Sequence, residues 1–146
     1  MQNGKTSITT VVARYQETDR MGIVHHSVYP VWFEVGRTDL IKEYGLTYTQ
    51  MEAAGILLPL IGLESSYKNY ALYEDRLLIQ STIDSISNTR LSFAYTITRA
   101  DAEDKTTLIA IGKTHHIFTN AALKPMNVKR FRPDILALFL ESTDRR

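Results

Sequence analysis

The chain is organised around one stretch, YQETDRMGIVHHSVY, which runs from Tyr15 to Tyr29. It joins a segment rich in β-branched residues to the most apolar helical segment of the sequence. Carboxylates, a flexible glycine, two imidazoles and two phenols lie close together in this short connection. Because loops on a rigid scaffold carry binding and catalytic groups more often than the elements they join, the stretch is predicted to form a functional site.

The elements on either side of this stretch are predicted from their residue patterns. Lys5–Arg14 is rich in β-branched residues and is predicted to be a strand. Val28–Tyr44 is predicted to be a helix, and Pro30 fits its first turn. Apolar residues on more than one side of this helix predict burial over much of its circumference. Gly36 in its middle costs about 1 kcal/mol relative to Ala, which the close approach of a neighbouring backbone would explain.

The second half of the chain is predicted to consist mainly of antiparallel strands. Pro59 restricts its own stretch to a sheet edge or a bulge, because proline has no N–H to donate. Ser87-Asn88-Thr89 predicts a hairpin turn. A strand, a long helix and then consecutive strands form an α+β pattern rather than alternating βαβ units. The predicted elements are a short helix after Gly45, capped by Thr47 with Gln50 or by Thr49 with Glu52, strands over Ile56–Leu63, Tyr67–Leu72, Arg76–Ile86, Leu91–Arg99 and Thr106–Thr119, and a last helix over Pro133–Glu141.

Length and composition are those of an ordinary globular protein. The 146 residues suit a single domain, and 44% hydrophobic and 23% charged residues are usual values. A formal net charge of +1 is too balanced to predict a surface for nucleic acid or membranes. No apolar run is long enough to span a membrane, and residues 1–5 lack the apolar core of a signal peptide. We therefore expect a cytoplasmic location.

The sequence offers little for a metal site. It contains no cysteine, which excludes disulfides, thiolate ligands and cysteine nucleophiles. The pairs His25-His26 and His115-His116 are each adjacent in sequence, and adjacent residues on a strand point to opposite faces. Neither pair is expected to bind one ion together, so no metal site is predicted.

The central stretch resembles the signature of a known family. Its pattern, Tyr-x-x-Thr-Asp-x-x-Gly-Ile-Val-x-His-x-x-Tyr over Tyr15–Tyr29, is similar to that of hotdog-fold acyl-CoA thioesterases of the 4-hydroxybenzoyl-CoA type, including bacterial relatives associated with the Tol–Pal system. The resemblance continues along nearly the whole chain. Further similar segments are Trp32-Phe33-Glu34 with Arg37, Ser66-Tyr67-Lys68, Glu74-Asp75, and the Gly112 strand that ends in Thr119-Asn120.

The resemblance implies a fold and an assembly. The hotdog fold is a long central helix wrapped by a five-stranded antiparallel sheet, which agrees with the α+β pattern. The family places each active site between two subunits, so we expect a homodimer or a homotetramer built from dimers. The strands between Arg76 and Thr119 are expected to join another subunit's sheet, with the Gly36 helix close to that interface. A sheet wrapped around one helix also leaves its edges and outer face to be covered, which independently favours oligomers.

The resemblance also implies catalytic residues. The family's catalytic carboxylate falls on Asp19, and the backbone N–H near His26, at the start of the helix, would polarise the thioester carbonyl. The side chains of Tyr15 and His26 match positions associated with the site. Three further residues of the same signature are expected to contact the substrate, namely Gly22, Ile23 and Val24.

The chain departs from the family pattern at two positions. Glu17 stands where Asp is more common, and His25 stands where an aromatic residue is usual. Both changes leave Asp19 in place, and both are expected to affect which acyl groups the protein accepts. Glu34 is a further carboxylate, and we expect it to bond Arg37 rather than to take part in catalysis.

The turn after the predicted strand Arg76–Ile86 is expected to hold the phosphates of CoA. Asn88, Thr89, Arg90 and Ser92 offer an amide, two hydroxyls and a guanidinium, which are groups that bind phosphate. The turn also resembles the stretch where related thioesterases hold the nucleotide. A plain hairpin turn with a solvated arginine is the alternative interpretation.

Thioester hydrolysis is the leading functional prediction, and it requires no metal or redox cofactor. One carboxylate can act as nucleophile or as general base, while helix N–H donors stabilise the oxyanion. Two alternatives stay open: a hydratase or dehydratase acting on acyl-carrier thioesters, and a non-catalytic acyl-CoA-binding module. The absence of a His-Phe-Pro-Gly motif argues against the first, and the intact Asp19 argues against the second.

Overall fold

The structure is a computed structural model. It describes the backbone of residues 4–144 and the side chains of residues 4–140. Residues 1–3 lie outside the described residues. They belong to the segment, residues 1–5, that was expected to lack the apolar core of a signal peptide. No helix in the described range is both long and apolar enough to cross a membrane. The elements are β1 (Thr6–Val12), α1 (Val28–Glu43), α2 (Tyr48–Ala53), β2 (Leu60–Tyr67), β3 (Arg76–Ile86), β4 (Arg90–Ala100), β5 (Thr106–Ile117), α3 (Val128–Phe131) and α4 (Pro133–Asp144).

The five strands form one antiparallel sheet in the order β1-β3-β4-β5-β2. Helix α1 packs on one face of this sheet, mainly against β1 and β3. The face of β4 that was predicted to be apolar is buried beneath it and presents Leu91, Phe93, Tyr95 and Ile97. This arrangement confirms the predicted α+β hotdog fold.

One predicted strand assignment is wrong, and the error concerns the edge of the sheet. The sequence predicted separate strands over Ile56–Leu63 and Tyr67–Leu72, but the structure has one strand, β2, over Leu60–Tyr67. The polar residues Glu64, Ser65 and Ser66 lie in the middle of β2 because an edge strand leaves most of its side chains in solvent. The edge position and the bulge between Leu60 and Gly62 agree with the restriction expected from Pro59.

Helix α1 is buried on fewer sides than predicted. Trp32, Phe33 and Leu40 are buried, whereas Val31 is 54% and Val35 37% exposed. Gly36 fits the predicted close approach, although the neighbours are side chains of β3 rather than backbone. A Cβ on Gly36 would overlap the Ser81 hydroxyl and lie 2.8 Å from Ile79 Cγ2.

Gly112 makes room for an aromatic stack that supports the interior of the protein. A Cβ on Gly112 would collide with the Phe33 ring and lie 2.8 Å from the carbonyl oxygen of Glu64. The Phe33 ring stacks on Tyr95 with a centroid distance of 4.5 Å and an interplanar angle of 9°. The helix, β4 and β5 therefore meet at a position where no larger residue fits without rearrangement.

We expect Gly112→Ala to lower the free energy of unfolding by about 1–3 kcal/mol, the usual effect of overpacking. Urea denaturation followed by far-UV circular dichroism measures this change. The control is Thr10→Ala on the edge strand β1, where the side chain is exposed and a change within about 0.5 kcal/mol is expected. Equal midpoints for wild type and Gly112→Ala would mean that Phe33 moves aside without loss of packing.

Candidate active site

The loop that carries Asp19 is held in a tight turn by its own backbone. The Gly22 N–H donates to the Asp19 carbonyl at 2.9 Å, and Gly22 has a φ of +82°, a conformation that glycine adopts without strain. The Asp19 N–H donates to the Ile23 carbonyl at 2.9 Å, and the Val24 N–H donates to the Ala71 carbonyl at 2.9 Å. The loop is thus fixed both to itself and to the segment that leads into β3.

The Asp19 carboxylate is half-buried and keeps one oxygen for a ligand. Its Oδ1 accepts a hydrogen bond from the Met21 N–H at 2.9 Å. Within the described residues no donor is bonded to Oδ2. The turn therefore orients the carboxylate and leaves one oxygen to act on a substrate or on water.

The backbone at the start of α1 presents one unsatisfied donor. The N–H groups of His25, Ser27 and Val28 donate to the Glu17 carbonyl, to His25 Nδ1 and to the His25 carbonyl at distances of 2.9, 3.1 and 3.0 Å. Among the described residues no acceptor is bonded to the N–H of His26. An unpaired backbone donor at a helix N-terminus is suited to bind a partial negative charge.

A cleft of about 320 Å³ brings these groups together. Asp19 and His26 both line it, and Ile23 and Val24 contribute apolar wall. Residues that the sequence analysis had not assigned to the site complete the lining, namely Met21, Tyr29, Tyr67, Lys68, Asn69 and Tyr70. The cleft therefore combines a carboxylate and a backbone donor with apolar and aromatic walls.

Two tyrosines support the helix end of the cleft. The Tyr67 hydroxyl donates to the His26 carbonyl at 3.3 Å, and the Tyr67 and Tyr29 rings pack edge to face with centroids 5.1 Å apart. Burial, together with Tyr67 and Asp75, raises the pKa of Tyr29 to about 12. The Tyr29 hydroxyl is therefore neutral at any working pH, so Tyr29 lines the cleft and does not act as a base.

Comparison with known proteins decides the family. The chain matches the Thioesterase-like superfamily over residues 13–139. The chain belongs to this superfamily. YneP of Bacillus subtilis (strain 168), provisionally named an acyl-CoA thioesterase, is 34% identical over 124 residues, which are 85% of this chain and 88% of YneP.

Solved structures agree with this assignment. A DHNA-CoA thioesterase from Staphylococcus aureus is 33% identical with a TM-score of 0.85, and the match covers 93% of this chain and 89% of that one. A 4-hydroxybenzoyl-CoA thioesterase from Pseudomonas sp. strain CBS-3 shares the fold, with a TM-score of 0.77 at 17% identity over 92% of this chain and 99% of that one. The protein is an enzyme of the thioesterase class. The association with the Tol–Pal system remains a resemblance.

Tyr15 lies outside the cleft of this thioesterase subunit. It stands on a single 3₁₀ turn, Tyr15–Glu17, is 76% exposed and packs edge to face on Tyr73 at 5.7 Å. A catalytic role for Tyr15 stays a prediction. Glu17 is buried instead and bonds the Arg14 backbone N–H at 2.8 Å and guanidinium at 3.1 Å, so it holds the turn.

The predicted phosphate turn lies at the opposite end of the sheet from Asp19. β3 separates the two ends with eleven residues, a length of roughly 35 Å. Thr89 and Arg90 are exposed there, while the Asn88 carbonyl accepts from the Val128 N–H at 2.8 Å. Ser92 is buried and its hydroxyl bonds His115 Nδ1 at 2.8 Å. One subunit therefore does not bring this turn and Asp19 together.

The histidine pairs behave differently from each other. His115 and His116 lie on β5 and bond different partners, as expected for adjacent strand residues. His25 and His26 lie in a turn, so the strand argument was wrong for them, and their rings are 4.1 Å apart between centroids. His25 Nδ1 is bonded to the Ser27 hydroxyl at 2.8 Å. Among the described residues no cluster of three His, Asp or Glu side chains has the arrangement of a metal site.

The expected bond between Glu34 and Arg37 is wrong. Arg37 Nε donates to the Tyr48 hydroxyl at 3.2 Å, and Tyr95 approaches the same guanidinium. Within the described residues Arg37 forms no ion pair with Glu34. Tyr48 begins α2, and its distance along the chain explains why the sequence did not reveal this partner.

Proposed function

We propose that the protein hydrolyses an acyl-CoA thioester to the free acid and CoA. The observation that carries the proposal is the presence of the Asp19 carboxylate and the unsatisfied His26 N–H in one cleft. The similarity to YneP and to the S. aureus DHNA-CoA thioesterase supports a CoA thioester as substrate.

The chemistry needs few groups because a thioester carbonyl is electrophilic and a thiolate leaves readily. Asp19 either attacks the carbonyl carbon to form an anhydride, which water then hydrolyses, or takes a proton from the attacking water. In both routes the carbonyl oxygen gains negative charge and the C–S bond to CoA breaks. The His26 N–H donates to that oxygen, and such a donor contributes about 3–4 kcal/mol to the transition state.

The test of the proposal is release of free thiol from a panel of acyl-CoA thioesters. Continuous release from at least one of them is the expected result. Formation or hydration of a carbon–carbon double bond without thiol release would instead indicate a hydratase or dehydratase. Binding without any turnover would indicate a non-catalytic acyl-CoA-binding module.

We propose further that the working site is shared by two subunits that pair along β2. This edge strand exposes Leu60, Ile61, Leu63 and Tyr67, each between 44% and 49% exposed. An unpaired edge strand with exposed apolar side chains favours pairing with another strand, whereas β3, β4 and β5, the strands expected to form the interface, each already have two neighbours in the sheet. Antiparallel pairing of two β2 strands over their full length sets Leu60 of one subunit beside Tyr67 of the partner subunit.

This pairing would supply what one subunit lacks. Leu60 lies at the end of the sheet that holds the Asn88–Arg90 turn, since it pairs with His116, which in turn pairs with Leu91. Tyr67 lies at the end that holds Asp19. The phosphate turn of one subunit would thus approach the catalytic cleft of its partner.

Replacement of Arg90 tests this assignment of the nucleotide end. We expect Arg90→Ala to raise KM for acyl-CoA with little change in kcat, because an exposed phosphate contact contributes mainly to ground-state binding. The effect should shrink at high salt. It should be nearly absent with a pantetheine thioester that lacks the nucleotide.

The control for this experiment is Lys5→Ala, which removes an exposed cation next to β1, at the edge of the sheet opposite the proposed interface. It should leave KM for both substrates unchanged. Equal losses of Arg90→Ala on the long and the short substrate would show that Arg90 supports the fold or the catalytic cleft instead.

A further inference from the structure

A second cavity, of about 560 Å³, lies between α1, α2 and the segment that precedes β2. Its walls are largely apolar, but three charged side chains reach into its lining. A cavity of this composition is suited to an apolar ligand that carries a few polar atoms. The lining residues used below are Glu34, Arg37, Glu52, Met51, Leu58 and Pro59.

Arg37 is fixed at this cavity by a chain of hydrogen bonds. The Tyr95 hydroxyl, which approaches Arg37, lies 2.6 Å from the Thr114 hydroxyl. The Thr114 hydroxyl lies 3.0 Å from His116 Nε2, and His116 Nδ1 lies 3.0 Å from the Leu58 carbonyl. The chain therefore runs from the helix through the sheet to the backbone of the cavity wall.

The direction of each bond in this chain follows from its chemistry. Burial lowers the pKa of His116 to about 4, so its ring is neutral at working pH. A carbonyl only accepts, so Nδ1 carries the proton and donates to Leu58, and Nε2 accepts from Thr114. Thr114 then accepts from Tyr95, which leaves the Tyr95 oxygen to accept from Arg37. Each member of the chain holds the next in a single orientation.

Arg37 keeps its charge and retains N–H donors for a ligand. Burial by itself would lower the pKa of Arg37. The interactions with the Tyr95 and Tyr48 hydroxyls have the larger combined effect, so the pKa of Arg37 is raised. Nε is bonded to Tyr48, and within the described residues no carboxylate pairs with the guanidinium. A half-buried cation that is held by two phenols and forms no ion pair within the described residues is suited to recognise an oxygen atom of a ligand.

The two glutamates that line the cavity limit which oxygen-containing group of a ligand can bind to Arg37. Glu34 and Glu52 line the same space and would repel a carboxylate. A neutral hydroxyl can accept from Arg37 and donate to one of these carboxylates. The apolar walls would hold the carbon skeleton that carries the hydroxyl.

The position of the cavity relates it to the proposed reaction. Leu58 and Pro59 line it and immediately precede Leu60, the first residue of β2. Under the proposed β2 pairing, Leu60 lies beside Tyr67 of the partner subunit. The cavity of one subunit then opens next to the catalytic cleft of its partner, where it can receive the acyl group.

We infer that Arg37, held by Tyr48 and Tyr95, is a specificity-determining residue that selects acyl groups bearing a hydroxyl at the end remote from the thioester. This inference rests on the proposed thioester hydrolysis and on the shared site. In this inference Arg37 recognises the acyl group and Asp19 carries out the catalytic step.

The test compares kcat/KM for matched CoA thioesters that differ by one hydroxyl. The pairs are 6-hydroxyhexanoyl-CoA with hexanoyl-CoA and 4-hydroxybenzoyl-CoA with benzoyl-CoA. We expect the wild-type enzyme to prefer the hydroxylated member of at least one pair by about 10- to 100-fold, the value of a hydrogen bond to a charged group. Arg37→Met should abolish this preference, and Tyr48→Phe should reduce it.

The control is Lys42→Met, which removes an exposed cation from the same helix and should leave the preference unchanged. A ratio of rates separates recognition from a general loss of structure, because misfolding lowers both rates together. Wild-type hydrolysis of both members at similar rates, or an Arg37→Met enzyme that keeps the preference, would overturn the inference. Absence of thiol release from every thioester would overturn the proposed function instead.

Discussion

Replacement of Asp19 by Asn is expected to lower kcat for acyl-CoA hydrolysis by about 10²- to 10⁴-fold, the usual contribution of a positioned acid, base or nucleophile. The amide has the shape of the carboxylate and can still accept from the Met21 N–H, so the turn should persist. It is neither a base nor a nucleophile at neutral pH. Thiol release under saturating substrate measures the loss, and thermal unfolding verifies the fold.

The matched control is Glu17→Gln, which neutralises the other carboxylate of the same loop. Glu17 is turned inward and bonded to Arg14, so this change should lower stability while reducing turnover by less than tenfold. A folded Asp19→Asn enzyme with near-wild-type turnover would exclude Asp19 as the catalytic carboxylate. A larger loss for Glu17→Gln than for Asp19→Asn would move the assignment to Glu17.

Introduction of two lysines on β2, Ile61→Lys with Leu63→Lys, is expected to give monomers and to reduce turnover to near background. Both side chains are exposed on the edge strand, and a twofold pairing would bring the new charges of two subunits close together. If the site is shared, a monomer lacks the acyl cavity and the phosphate turn that its partner provides. Light scattering after size exclusion and thiol release at the same concentration measure the two effects.

The opposite edge of the sheet provides the control. Ile8 lies on β1 and is 66% exposed, so Ile8→Lys adds charge to an edge strand outside the proposed interface. This variant should keep the assembly and the turnover of the wild type. A wild-type protein that is a monodisperse monomer at nanomolar concentration and still hydrolyses acyl-CoA would contradict the shared site.

Local patterns in the sequence predicted most of the elements. The alternation from Leu91 to Ile97 gave the buried face of β4, and the turn at Ser87-Asn88-Thr89 lies between β3 and β4 as expected. Gly45 has a φ of +86° beyond the end of α1, and Thr47 with Gln50 forms the capping box of α2. These features depend on neighbours a few residues apart, and such neighbours are visible in the sequence.

Features that depend on position within the sheet were predicted less well. β2 was divided in two because its polar centre looked like a break, yet an edge strand tolerates polar residues. The exposure of Val31 and Val35 was also not predicted, because they belong to an apolar face of α1 that was expected to be buried. An apolar helix face shows that burial is favourable, but the sequence does not show whether the same chain or another molecule covers it.

The candidate catalytic loop could be predicted from the sequence, because Asp19, Gly22 and His26 lie within one short connection whose turn is set by local hydrogen bonds. The surroundings of this loop depend on how distant parts of the chain pack together. Tyr67–Tyr70 reach the cleft from more than forty residues away, and Arg37 meets its partners through α2, β4 and β5. These contacts could not be predicted because hydrogen bonds across a sheet are fixed by strand order and register, which emerge only when the whole chain packs around α1.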